Sequence, residues 1–465
     1  MPACARIVAA AIALGVLSDC GSTPLAQPDA TTALPGPAEV TWYANVGKVI
    51  HAKCAGCHQP DGTAPFSLLE LDDAREHLPA LLTAIDERRM PPFYADTESD
   101  CAPRRPWRDD PRLTVDEVTM LHAWSGAAGE PGDLAGPPDT QLAGVTRTLR
   151  PSVAFTSSGD GDQFICYLFD PAFTTTTYVT SLQVRPTLPA LVHHANISVI
   201  PPEQASEVLQ QFGPLGAPRP CSHGGPGILM HDWAPGNQPL SLPTDIAIPL
   251  RVGSLIGVQL HYHSGGVGGS DASEIDLVTT TTPAVWRYAG LSLGNVSMPP
   301  GLLPGDGDPP SGPAFLIPAN ATDHVETMQL TIGAEAASGD TRLVTITPHA
   351  HLLATHVRAT IDRVNGEHEC LATGRWSFDW QRTFGYGGAV ADLPRLSPGD
   401  VVTVSCHWNN SFSNPNLPRM LHDAGLVAPA DVRLGGSTTD EMCVANVGIA
   451  VADWARPLDA PPPLR

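Results

Sequence analysis

The stretch "RLVTITPHAHLL", residues 342–353, alternates apolar and polar side chains, is rich in Val, Ile and Thr, and closes on a proline and a His-x-His pair. Alternation with β-branched residues predicts a half-buried strand. The same texture recurs from about residue 149 to the end, in "TYVTSLQVRP" (177–186), "SLIGVQLHYH" (254–263), "VVTVSCHW" (401–408) and "CVANVGIAV" (443–451). Pro, Gly and Asp clusters separate these runs. The pattern predicts β-sandwich architecture. A Pro/Gly stretch, "MPPGLLPGDGDPPSGP" (298–313), divides it into two all-β units, 149–297 and 298–465.

Residues 38–130 read as a small all-α unit. "VTWYANVGKVIHAKCAGC" (40–57) and "LPALLTAIDERR" (78–89) place apolar residues at helical spacing, and "LTVDEVTMLHAWSGAAG" (113–129) opens on a Thr cap and closes on Gly. A Gly/Pro-rich linker over 131–148 follows. Inside the helical unit, "HAKCAGCHQPDG" (51–62) contains Cys54-x-x-Cys57-His58. That spacing is a c-type haem attachment site: two thiols add to the haem vinyl groups, and the neighbouring imidazole reaches the iron. "RRMPPF" (88–93) puts Met90 before two prolines, which stop a helix and stiffen the loop carrying the thioether. Met120 competes for the sixth position but lies in a helical, core-like pattern. His/Met ligation fills both axial sites and suits electron transfer. The segment resembles short c-type cytochromes in which a Met-Pro-Pro motif follows the haem motif.

The chain has 465 residues, 42% hydrophobic and 16% charged, as a globular protein does. Its 26 Lys+Arg against 48 Asp+Glu give a net charge of −22, which disfavours nucleic acid and anionic lipid as partners. The two lysines, Lys48 and Lys53, flank the haem motif, either as a rim for an electron donor or as survivors of a preference for Arg. At the N-terminus, Arg6 and the apolar "IVAAAIALGVL" (7–17) read as a signal peptide over 1–20. "LSDC" ending at Cys20 is similar to a lipoprotein box, with Asp19 where a small residue is usual; cleavage further on is the alternative. Residues 21–37 form a polar tether. The expected location is therefore outside the cytoplasm, as a periplasmic or cell-envelope lipoprotein anchored through a lipidated Cys20. Setting aside Cys4, Cys20, Cys54 and Cys57, six cysteines remain, enough for three disulfides with the pairing open.

A second histidine field occupies the β region: "HHANI" (193–197), "LHYHS" (260–264) and the pair in 349–351. In a strand, residues two apart share a face, so His349 and His351 form one pair and His261 and His263 another. His193 and His194 are adjacent and point to opposite faces unless the strand is distorted. Met442, in "GGSTTDEMCVANV" (435–447), is either core or a soft sulfur ligand suited to Cu(I). Its acidic lead-in is unlike a buried strand.

Taken in order, "LVHHANI", "HDWAPG" (231–236), "GVQLHYH", "TPHAHLLA", "SCHWNNS" (405–411) and "TTDEMCVA" resemble the copper type II, ascorbate-dependent monooxygenases, the family of the peptidylglycine α-hydroxylating and dopamine β-monooxygenases. The likeness spans about 300 residues. It implies two jelly-roll-like sandwiches holding one copper ion each, two in all. His193, His194 and His261 would bind the electron-storing copper. His349, His351 and Met442 would bind the oxygen-activating one. It also implies a Cys406–Cys443 disulfide. His263 would lie behind the ligands or face substrate, while His231, His356 and His407 would be structural or at the surface. The chain departs from the family in lacking glycines in "LPTDIAIPL" (242–250) and in the insertion at 299–313.

The expected function is C–H hydroxylation of a small organic substrate with O2. Electrons would come from ascorbate or a redox protein through the covalently attached haem c, with the linker letting the domains dock. The competing expectation is a non-catalytic exported haem/copper redox or copper-binding lipoprotein.

Overall fold

The computed structural model describes residues 40–452 apart from 61, 63, 135–140, 160, 222–224, 264–267 and 335–339. The signal peptide, Cys20 and the 21–37 tether lie outside the described residues, as does part of the 131–148 linker. Strand dominates, with few helices. No helix among the described residues is long and apolar enough to cross a membrane.

Three sheets make the body. A long sheet orders Phe384–Tyr386, Thr341–His349, Val444–Val451, Trp286–Gly294, Ile246–Leu250, Thr177–Arg185, Glu274–Thr280 and Arg147–Leu149 side by side. A five-stranded sheet accompanies its N-terminal half: Arg219–Pro220, Asp162–Phe169, Leu255–His263, Val192–Ile200 and Ile228–Trp233. A four-stranded sheet accompanies the other: His324–Thr331, Val401–Trp408, Ala354–Asp362 and His368–Arg375. The expected sandwiches therefore share one continuous sheet. Their seam is a short parallel pairing, Ile246 with Trp286 and Ala247 with Arg287. One apolar core runs through both, from Val179 and Leu182 to Val344 and Ile449. Strand Trp286–Gly294 pairs along its length with Val444–Val451, so it belongs to the second sandwich although it precedes residue 298.

The N-terminal residues form helices at Gly47–Lys53, Leu71–Asp86 and Val115–Ala123. They pack around Trp42, Ile50, Leu81, Leu121 and Trp124, a cluster separate from the main core. Thr114 caps the last helix in a reciprocal capping box with Glu117, as its sequence predicts. The helical pattern breaks between these helices. Residues 88–112 form an extended strap along the second sandwich. Asp96 donates its N–H to Thr373 at 2.8 Å, Arg358 pairs with Asp100 at 2.9 Å, and Trp107–Arg108 adds a two-residue strand to the long sheet. A disulfide, Cys101–Cys370, bolts the strap down. Docking of the helical part is thus built in by the strap and does not depend on a flexible linker. Lys53 is spent internally, donating to Glu117 at 2.9 Å and to the Arg112 carbonyl at 2.7 Å. It is no free rim for a partner.

All six remaining cysteines pair, as Cys101–Cys370, Cys166–Cys221 and Cys406–Cys443. Such a framework belongs to an oxidising compartment.

Gly374 lies so close under the strap that a Cβ there would fall 1.6 Å from the Tyr94 carbonyl oxygen. Gly374→Ala should therefore free the strap without opening the sandwiches, giving rapid proteolysis within 88–112 and slow digestion elsewhere. A Cys101→Ser/Cys370→Ser double variant should do the same and lower the unfolding free energy by about 3 kcal/mol, measured in denaturant. An unchanged digestion pattern in both would show that the strap is not held there.

Candidate metal centre

The first histidine set is built on a strand irregularity. Along strands Leu255–His263 and Val192–Ile200, His261 pairs with His194, but Tyr262 pairs with Val192. His193 is the extra residue of a β-bulge, and a bulge re-aims its side chain. This is the distortion that two adjacent histidines need to act together. The ring centroids of His193 and His194 lie 5.0 and 4.8 Å from that of His261. The Nδ1 atom of His194 is 3.2 Å from Nδ1 of His193 and 3.4 Å from Nδ1 of His261.

The outer nitrogens decide where the protons are. His193 Nε2 donates to the Phe378 carbonyl at 2.9 Å, and His261 Nε2 donates to Asp162 at 2.9 Å. Both partners only accept, so both rings keep their proton on Nε2 and turn a bare Nδ1 lone pair inward. Lone pairs crowded around one point suit a bound cation, with the outer acceptors fixing each ring as metal-site histidines require. Burial, reinforced by the neighbouring histidines, pushes His193 and His194 well below the ordinary histidine range. They are neutral at pH 7, the form that ligates metal.

Asp162 is the hub behind this set, and no motif marks it. It accepts from His261, from His263 Nδ1 at 2.5 Å and from the Thr438 hydroxyl. Burial alone would raise its carboxyl, but the hydrogen bonds from His261 and His263 hold it well below the usual carboxylate range. Asp162, His261 and His263 could themselves be grouped as ligands. However, His263 also accepts at Nε2 from Arg419, so both its nitrogens are engaged and it braces Asp162 instead.

The second set is reached differently from the strand geometry expected. Strand Thr341–His349 ends at His349, and His351 lies in the turn beyond it. The pair does not share a strand face; its rings stand perpendicular with centroids 5.4 Å apart. The turn is held by Glu441, whose buried carboxylate accepts the backbone N–H of His351 at 2.8 Å, of Leu353 at 2.7 Å and of Met442 at 3.3 Å. One carboxylate thereby ties the His351 turn to the methionine. Burial outweighs these bonds and raises Glu441 to about 7. Here too the ring protons are assigned by acceptors. His351 Nδ1 donates to the Asp440 carbonyl at 3.0 Å and His349 Nδ1 to Gln381 Oε1 at 2.9 Å. Gln381 Nε2 faces the Phe378 carbonyl at 3.3 Å, which fixes the amide's orientation. Both rings are left with Nε2 as the lone-pair nitrogen. The first set offers Nδ1 atoms, the second Nε2 atoms.

His194, His261, His349, His351 and Met442 all line one cavity of about 210 Å³ between the sandwiches. The ring centroids of His194 and His349 are 5.8 Å apart. The two sets, one carried by each sandwich, thus face each other across a shared space. Phe164, Trp233, Phe378 and Val444 supply apolar wall, and Asn196, Asn237 and Asn446 supply amides. Asp232 and Arg382 also line it. Burial raises Asp232 to about 6. Arg382 donates to the Gly236 carbonyl at 2.6 Å.

In the haem motif, His58 Nδ1 donates to the Phe66 carbonyl at 3.1 Å, leaving Nε2 for a ligand. Cys54 and Cys57 are thiols while the other described cysteines are paired, and burial pushes Cys54 up to about 12. The two thiols outside the disulfides and the His58 ring with its Nε2 unprotonated fit covalent attachment of a haem, while the buried Cys54 needs activation to react. Met90 lines a cavity of about 750 Å³ with Ile85, Leu113, Val115 and Val118, whereas Met120 packs in the helical cluster. His58 is not among the residues that line that cavity.

Glu441→Ala strands three backbone N–H groups, so it should cost about 3 kcal/mol of stability and weaken metal binding at the second set alone. Unfolding and metal titration check this; equal loss at both sets would show that Glu441 does not hold the second set specifically. His231, buried and away from both sets, is pushed down to about 4 by burial. Its folded value lies below its unfolded one, so the stability it contributes is complete above about pH 6.5 and is lost as pH falls toward 4. The metal-free protein should weaken over that window, and His231→Phe should remove roughly 3 kcal/mol of the loss. A pH–stability curve unchanged by the substitution would refute this.

No family model and no curated protein matches the chain. Among solved structures, it is similar over 66% of its length to 98% of the major capsid protein P2 from bacteriophage PM2, at 9% identity and a TM-score of 0.27. A CBM22 tandem domain from Paenibacillus barcinonensis Xyn10C matches over 66% of this chain and 95% of that one, at 9% identity and a TM-score of 0.16. A mutant of Bacillus subtilis oxalate decarboxylase matches over 63% and 89%, at 9% identity and a TM-score of 0.11.

Proposed function

We propose that this chain is a copper-dependent monooxygenase of the type II, ascorbate-dependent kind, fused to a c-type cytochrome segment. In this reading it hydroxylates a C–H bond of a small organic substrate with O2. The observation that carries the reading is the proton assignment around the shared cavity. His193 and His261 turn unprotonated Nδ1 atoms toward His194 on one side, and two Nε2 atoms stand with the Met442 thioether on the other, which makes two unlike ligand sets. A pure metal carrier has no use for that asymmetry.

Copper in these sets would supply one-electron chemistry on O2, with the thioether side favouring Cu(I). The chain's own residues do the rest. Asp162, Phe378, Gln381 and Asp440 hold the imidazoles in one tautomer and one orientation, so no rearrangement is needed when metal binds. The apolar wall excludes water, and the cavity amides orient a small substrate. The helical segment, whose Cys54, Cys57, His58 and Met90 would hold a haem, would pass electrons inward from ascorbate or a redox protein. Export as a periplasmic or envelope lipoprotein, anchored at Cys20, completes the reading.

Metal and haem analysis of the exported protein should give two coppers and one haem per chain. Met442→Leu should abolish substrate-dependent O2 uptake, screened against amines, peptides and aromatic compounds, while leaving most copper bound. Retained uptake would remove the methionine from the chemistry. Zinc in place of copper, or copper with no uptake on any substrate, would favour a non-catalytic metal-binding protein.

A further inference from the structure

Two observations meet on one short segment, residues 378–382. At its far end is Arg382. A Cβ built on Gly236 would lie 3.4 Å from Cys57 Sγ and 3.3 Å from Arg382 Nη2, so the haem-motif thiol and the guanidinium both flank Gly236. Arg382 Nη2 donates to the Gly236 carbonyl at 2.6 Å, and Arg382 lines the histidine cavity. Gln381 precedes it, one peptide bond away. Its Oε1 accepts from His349 at 2.9 Å. Its Nε2 reaches the Phe378 carbonyl at 3.3 Å, the same oxygen that accepts from His193 at 2.9 Å. Gln381 therefore joins the two histidine sets through hydrogen bonds, and its neighbour joins both to the haem attachment point.

Resting on the proposed haem and copper content, we propose that Phe378–Arg382 is a fixed electron bridge from Cys57 to both histidine sets, with Gln381 and Arg382 as its positioning residues. The step is a single electron transfer. A ferrous haem becomes ferric, a cupric ion becomes cuprous, and no bond or proton moves. Electron tunnelling falls off steeply with distance and more gently through covalent and hydrogen-bonded links than across gaps. The route found here is almost wholly of those links, its one through-space contact being that at Cys57. The strap at 88–112, bolted by Cys101–Cys370, holds the contact closed, so no docking motion precedes the transfer.

The test uses the full-length protein with haem and copper content measured first. Flash photoreduction of the haem by a flavin semiquinone is followed by reoxidation of the haem absorption band and loss of the Cu(II) EPR signal. The expected transfer is first-order, independent of protein concentration and of added viscogen. Arg382→Met, which touches none of the proposed copper ligands, should leave the Cu(II) EPR spectrum unchanged and slow the transfer about ten-fold, with Arg382→Lys recovering part of the rate. Gln381→Leu should slow it as well. A merely structural Arg382 would show the opposite pattern, a changed EPR spectrum with an unchanged rate. Full loading with unaltered rates in both variants, or a rate that falls with viscosity, overturns the bridge alone. Absence of haem or of copper overturns the functional reading and the bridge together.

Discussion

Everything at the cavity depends on acceptors that cannot donate. The Phe378 and Asp440 carbonyls, the Asp162 carboxylate and the Gln381 amide oxygen each take one ring proton from a histidine. Each such bond leaves the opposite nitrogen of its ring bare. Four imidazoles are thereby committed before any ion arrives. A histidine cluster without these anchors could flip its rings, share protons and satisfy itself with water. Burial penalises the charged ring, which is why His193, His194 and His349 all sit below the ordinary histidine range, although the Phe378 and Gln381 acceptors pull His193 and His349 the other way.

The anchors come from backbone held by the shared sheet. Because the long sheet runs unbroken across both halves, Thr341–His349 and Leu255–His263 are parts of one body, tied through the seam at Ile246–Ala247. The distance between the two ligand sets is thus set by hydrogen-bonded strands. Cys406–Cys443 pins the residue next to Met442 to the opposing sheet in the same way. Stability and positioning draw on the same contacts, so substitutions at Glu441 or Asp162 disturb both at once.

The β architecture was legible because alternation is a local signal: "VVTVSCHW" buries every second residue, as its pattern says. The Thr114 cap was legible for the same reason. The bulge at His193 was foreseen only as a requirement, since nothing in "LVHHANI" marks where the ladder slips. His351 misled the strand argument because the strand stops at His349, and the force that returns the turn to the cavity comes from Glu441, ninety residues on. The acidic lead-in to Met442 was a visible oddity whose meaning only the fold supplies. Asp162, at the start of its strand, and Gln381 and Arg382, in a loop, carried no signal, because isolated polar residues look alike until the chain has closed around them. The strap was missed because its partners, Thr373, Arg358 and Cys370, are more than 250 residues away.

The connectivity of the disulfides bears on how the molecule is made. Cys166–Cys221 and Cys406–Cys443 join cysteines that follow one another along the chain, so each can close as soon as its second member emerges. Cys101 must wait for Cys370, with Cys166 and Cys221 passing by in between. Oxidation in order of emergence would mispair Cys101 with Cys166. On that route the native set would be reached only through thiol–disulfide reshuffling.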